Sequence, residues 1–168
     1  CVCDWPINKE LVDKNNSLAK LNSERKLLTP ISGYGAHRKF TKEELSLYQR
    51  DLLIVIKHMK ISTVVIRPHT RINFYDSANQ LKSFLNKNNI NTEIDYGKED
   101  IETIVHNYKV VAGFCSNVLL DVLRASDDVI VICFEEISKT RFKDPIQVLL
   151  QGENIGLKWI NDGGVFDR

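Results

Sequence analysis

Two short stretches hold the side chains best suited to chemistry. Arg67-Pro68-His69-Thr70-Arg71 sets an imidazole between two guanidinium groups, and Phe114-Cys115-Ser116-Asn117 places a hydroxyl and an amide just ahead of an apolar run. Such cationic and imidazole donors suit an anion, and phosphate is one that charge-assisted hydrogen bonds hold well. A serine at a helix start serves the same end, because a helix amino terminus offers free N–H groups and about half a positive charge. Arg67, His69 and Arg71 are therefore read as phosphate donors, and Ser116 with Asn117 as a second hold, so that one phosphate could be shared between Ser116 and His69. Each stretch also has an ordinary explanation, as a solvated strand end or a serine that only caps its helix. Their shared position in the fold tips the reading toward a site.

That position follows from the elements around them. Residues 61–67 contain the continuous β-branched run Val64-Val65-Ile66, which suits a strand covered on both faces, and Pro68 stops it. Residues 109–113 form a similar strand. If both strands are parallel, their loops lie on one carboxyl edge, where open α/β sheets bind ligands.

The rest of the chain alternates in the same way. Residues 26–31 are the first expected strand, ending in the turn Ser32-Gly33-Tyr34-Gly35. Thr41 and Glu44 have capping-box spacing, and behind them Leu45, Tyr48, Leu52, Val55, Ile56 and Met59 fall on one helical face. A second helix over 74–87 carries Phe74, Ala78, Leu81 and Leu85 in phase and ends at Asn88-Asn89. A strand at 92–95, a helix at 99–107, a helix after Ser116 carrying Val118, Leu119, Val122 and Leu123, and a strand at 129–134 follow. Asp144-Pro145 opens a short helix to Leu150, residues 156–160 add an edge strand, and Asn161-Asp162-Gly163-Gly164 reads as a turn. The predicted fold is α/β, a Rossmann-like doubly wound parallel sheet of about five or six strands with right-handed crossovers. Residues 1–25 are read as a connector or peripheral helix, and residues 26–168 as one Rossmann-like domain.

Composition narrows the partners. The 168 residues are 43% hydrophobic and 27% charged, with a net charge of +1. No global field attracts a nucleic acid polymer or a membrane surface, so anion binding has to be local. Cys1, Cys3, Cys115 and Cys133 lack zinc-ligand spacing, and no metal is expected. Buried thiols at Cys115 and Cys133 favour a reducing, cytoplasmic setting, at most against the inner face of a membrane. No apolar run approaches the roughly 20 residues that cross a bilayer, and a first residue of Cys suggests a piece of a longer protein.

Ile66-Arg67-Pro68-His69-Thr70-Arg71 and Val111-Ala112-Gly113-Phe114-Cys115-Ser116-Asn117-Val118-Leu119-Leu120 resemble two loops of bacterial GT-B glycosyltransferases of the sialyltransferase and capsule-polysaccharide type. Leu27-Leu28-Thr29-Pro30, the Tyr34-Gly35 loop and the Thr-x-x-Glu helix resemble the start of that family's carboxy-terminal domain. The likeness covers roughly residues 26–134, with Thr70 and Asn117 standing where the family has a proline and a second serine or threonine. It implies a donor-binding domain for a CMP-activated sugar of sialic acid or Kdo type, with His69 as catalytic residue and phosphate ligand and Ser116 and Asn117 as donor ligands. It also implies a glycan or lipid-linked acceptor and a second Rossmann domain or chain that supplies the general base. Asp162 matches the family's acidic motif only superficially.

Other functions remain open for the same fold. Glycerol- or ribitol-phosphate transferases and nucleotide-sugar epimerases place His and Ser loops on this edge, and a non-catalytic nucleotide-binding module would need no base. A signalling receiver fits poorly, since Asp127-Asp128 precedes its strand. Glu135 or Glu136, after the last buried strand, could touch a ribose or sugar, whereas His37, His58 and His106 are read as surface residues.

Overall fold

A computed structural model describes residues 26–31, 40–69, 72–114, 116–134, 137, 157–161 and 164–166. The chain lays down β1 (Lys26–Ile31), α1 (Lys42–His58), β2 (Thr63–Pro68), α2 (Ile72–Lys87) and β3 (Asn91–Ile94). After these come α3 (Ile101–Ile104) with a 3-10 turn at Val105–Asn107, β4 (Val110–Gly113), α4 (Asn117–Ala125), β5 (Ile130–Phe134), β6 (Leu157–Asn161) and β7 (Gly164–Phe166). The expected helix at 144–150 lies outside the described residues.

Local signals in the chain account for the helix boundaries. Thr41 and Glu44 close the capping box, the Glu44 N–H donating to Thr41 Oγ1 at 3.1 Å and the Thr41 N–H to Glu44 Oε2 at 2.8 Å. Lys60 (φ 52°) follows α1 and Asn89 (φ 59°) follows α2, each taking the left-handed conformation that ends a helix.

The strands assemble in the order β3-β2-β1-β4-β5-β6-β7. All neighbours are parallel except β6 and β7, which pair antiparallel through Asn161 and Gly164. Six parallel strands with helices between them make a Rossmann-like α/β fold. The sheet is thus one strand larger than expected, because the residues read only as a turn lead into a short return strand.

Alternation along the strands divides the core in two. Leu27, Ile31, Val64, Ile66, Ala112 and Phe134 pack with Tyr48, Leu52 and Val55 of α1 and Phe74, Leu81 and Leu85 of α2. Leu28, Val65, Val111, Val131 and Cys133 pack on the other face with Ile101 and Ile104 of α3 and Leu119 and Val122 of α4. A strand residue buried on either face has to be apolar, which explains the unbroken Val-Ile runs.

Growth of the sheet reverses once. The chain adds β2 and β3 on one side of β1, then returns to add β4, β5 and β6 on the other. The reversal puts a switch point between β1 and β4, where doubly wound sheets open a crevice beyond their carboxyl ends.

Candidate functional site

The switch point is shaped by a proline in a central strand. Pairing of β1 with β2 runs the full strand, to Ile31 opposite Pro68, but pairing of β1 with β4 stops at Leu28 opposite Val111. Pro30 has no N–H to donate toward β4, so the backbone ladder cannot continue there. Side-chain hydroxyls take over. Thr29 Oγ1 donates to Ala112 O at 2.8 Å, Tyr48 Oη donates to Pro30 O at 3.0 Å, and the two hydroxyls lie 2.6 Å apart. Gly113 completes the seal, since a Cβ there would lie 3.3 Å from both Pro30 O and the Tyr48 hydroxyl.

An aromatic cluster holds this seal from the α1 side. The Tyr48 ring meets Phe134 at 5.0 Å, Phe40 at 5.8 Å and Phe114 at 6.3 Å between centroids, all edge to face. Phe40 precedes α1 and Phe114 follows β4, so the cluster ties the entry of one helix to the turn that carries Ser116.

Burial pushes the Tyr48 phenol well above the ordinary tyrosine range, with the nearby Cys133 adding to the rise and the Thr29 hydrogen bond opposing it. Tyr108, packed on the opposite face, is pushed up to about 12, by burial first and then by the Asp95 carboxylate. An unfolded tyrosine loses its proton near pH 10, so above that pH the unfolded chain binds fewer protons than the native one and stability falls. Urea unfolding midpoints should hold below about pH 10 and drop beyond it, and Tyr48→Phe should flatten the drop. An equal alkaline slope in both proteins would contradict this.

Among the described residues expected to bind phosphate, His69 and Ser116 follow strands at the carboxyl edge and are not engaged by an ion pair. His69 follows β2 directly, is exposed, and is fixed by its backbone N–H, which donates to Ile31 O at 2.7 Å. Its ring lies 6.1 Å from Phe74, edge to face. Of Ser116 and Asn117, either of which could cap the helix by sequence, Ser116 occupies the N-cap position of α4, yet its hydroxyl makes no capping bond. Its Oγ is buried and has no hydrogen-bond partner among the described residues. A buried hydroxyl left unsatisfied is costly and uncommon, so Ser116 Oγ has hydrogen-bonding capacity that the described residues do not use.

Strand spacing tests whether one phosphate can reach both. β2 and β4 flank β1, so His69 and Ser116 rise from strands about 10 Å apart, two spacings of roughly 4.8 Å. The His69 ring packs against Phe74 of α2, and a phosphate bridging the two loops would sit above the end of β1, which separates them.

Arg67 is drawn away from the expected role. Its Nη1 donates to Asp95 Oδ2 at 2.8 Å and its Nη2 to the Glu99 carbonyl, with the side chains of Arg67 and Asp95 only 16% and 23% exposed. Asp95 also accepts from the Gly97 N–H at 2.9 Å. The guanidinium thus clamps β2 to the chain leaving β3. Sequence reasoning missed the clamp because Asp95 lies 28 positions away and nothing local announces the pairing. Arg71, Thr70, Cys115, Glu135, Glu136 and Asp162 lie outside the described residues, and of Asn117 only the backbone, at the start of α4, is described.

The described residues contain no group of three or more His, Cys, Asp or Glu able to hold a metal ion. Among the described residues no helix is long and apolar enough to cross a membrane.

No family model matches the sequence, and no curated protein matches it. Among solved structures, the crystal structure of malate dehydrogenase from Plasmodium falciparum is similar with a TM-score of 0.44 at 13% identity, over 82% of this chain and 45% of that one. The same enzyme in complex with NADH gives a TM-score of 0.45 at 14% identity, over 82% and 44%. The chain therefore spans less than half the length of these neighbours, and its Rossmann-like assignment rests on its own strand order.

Proposed function

We propose that this domain binds the phosphate of a nucleotide over the end of β1, as the donor-binding half of a glycosyltransferase that uses a CMP-activated sugar in bacterial surface polysaccharide synthesis. The observation that carries the reading is the buried Ser116 hydroxyl at the start of α4, without a partner among the described residues, across the switch point from the exposed His69. Phosphate oxygen supplies what that hydroxyl lacks, and the free N–H groups of α4 add a preformed anion cradle.

In such an enzyme the sugar leaves the CMP phosphate and joins an acceptor hydroxyl, with inversion. The charge that grows on the departing phosphate is met by His69, by Ser116 and by the amino end of α4, all held in place before reaction. Arg71 is the remaining cation of that loop. The acceptor proton needs a carboxylate base, which a second domain or chain supplies, so this domain alone binds nucleotide and transfers little.

Calorimetric titration with CMP, CDP and UDP tests the reading. CMP should bind best, and Ser116→Ala and His69→Ala should each weaken it roughly tenfold, about 1.4 kcal/mol. Ser116→Ala should leave the melting temperature unchanged or higher, because it deletes a hydroxyl that bonds none of the described residues. Folded protein that binds none of the three nucleotides would end the proposal.

A further inference from the structure

We propose that Tyr75 and Tyr96 form a stacking platform for the base of the nucleotide whose phosphate occupies the edge between His69 and Ser116; the inference rests on that phosphate reading. Tyr96 is the one large apolar side chain strongly exposed among the described residues, at 60%. Its ring lies 5.9 Å from that of Tyr75 at an angle of 36°. Tyr75 belongs to the first turn of α2 and Tyr96 comes two residues after β3, so both stand at the carboxyl edge. An aromatic face left in water there gains by covering itself with another ring.

Charge and reach orient the ligand. The chain around Tyr96 is acidic on balance, with Glu93, Glu99 and Asp100 against Lys98 within four residues of it, while Asp95 and Arg67 neutralise each other. Phosphate is repelled from this end of the edge and an uncharged base is not. The phosphate position lies over β1, and β3 is two strands away, about 10 Å at normal strand spacing. That span matches the extent of one nucleoside monophosphate from phosphate to base. The platform therefore takes the ring end of the same molecule.

The alternative is that the two tyrosines only fasten the exit of β3 to α2. Titration of the whole chain with CMP and with ribose 5-phosphate, which has no base, separates the two. Base-aromatic stacking is worth enough that Tyr96→Ala should weaken CMP about tenfold or more, leave ribose 5-phosphate unchanged, and be rescued by Tyr96→Phe. If Tyr96→Ala leaves CMP affinity intact, or weakens both ligands equally, while Ser116→Ala still weakens both, the platform is refuted and the phosphate site stands. Failure of the wild type to bind either ligand removes the phosphate site and the platform with it.

Discussion

Tyr48→Ala should lower the unfolding free energy by about 3–5 kcal/mol, the usual cost of emptying a buried aromatic position. Tyr48 is fully buried, and its ring is the member of the cluster that touches Phe40, Phe114 and Phe134 together. Removing it leaves a cavity between α1 and the sheet directly beneath the switch point. Tyr48→Phe isolates the hydroxyl: the ring remains, Pro30 O and Thr29 lose a partner, and the cost should fall to about 1–2 kcal/mol. Urea unfolding of the two variants gives both numbers. If alanine costs no more than phenylalanine, the ring is not what holds the cluster. Because Phe114 leads into the turn before Ser116, Tyr48→Ala should also loosen any ligand held there.

Arg67→Ala should cost about 2–3 kcal/mol of stability, the range for hydrogen bonds that involve charged groups, and leave CMP affinity within about twofold. The mostly buried Asp95 carboxylate would lose its cation and, among the described residues, keep the Gly97 N–H on its other oxygen, and leaving one charge of such a pair uncompensated is destabilising. Asp95→Asn should destabilise by a similar mechanism from the other side, and a double-mutant cycle measures the coupling. The opposite pattern, stability retained and CMP affinity lost, would return Arg67 to the phosphate role that its place beside His69 suggests.

Sequence and structure agree where the signal is periodic or chemical and local. The capping box at Thr41, the helix stop at Asn89 and the unbroken apolar strands each depend on residues within a few positions, so they can be read directly and lead to an α/β sheet with its loops on one edge. Ser116 was recognisable as an N-cap for the same reason. What could not be read is where a side chain turns when several partners compete. Ser116 stands at the cap without capping, and Arg67 ends β2 beside the site yet faces Asp95.

Pattern alone therefore determined that this chain forms a doubly wound sheet, and that His69 and Ser116 follow two of its strands, because strand and helix periodicities are written into successive residues. Tertiary structure decided which strand lies between them, that a proline in β1 leaves the ladder open where hydroxyls must close it, and which charged groups are already consumed by one another. Those outcomes arise from contacts between residues tens of positions apart, and the energy of such contacts depends on the whole packed chain.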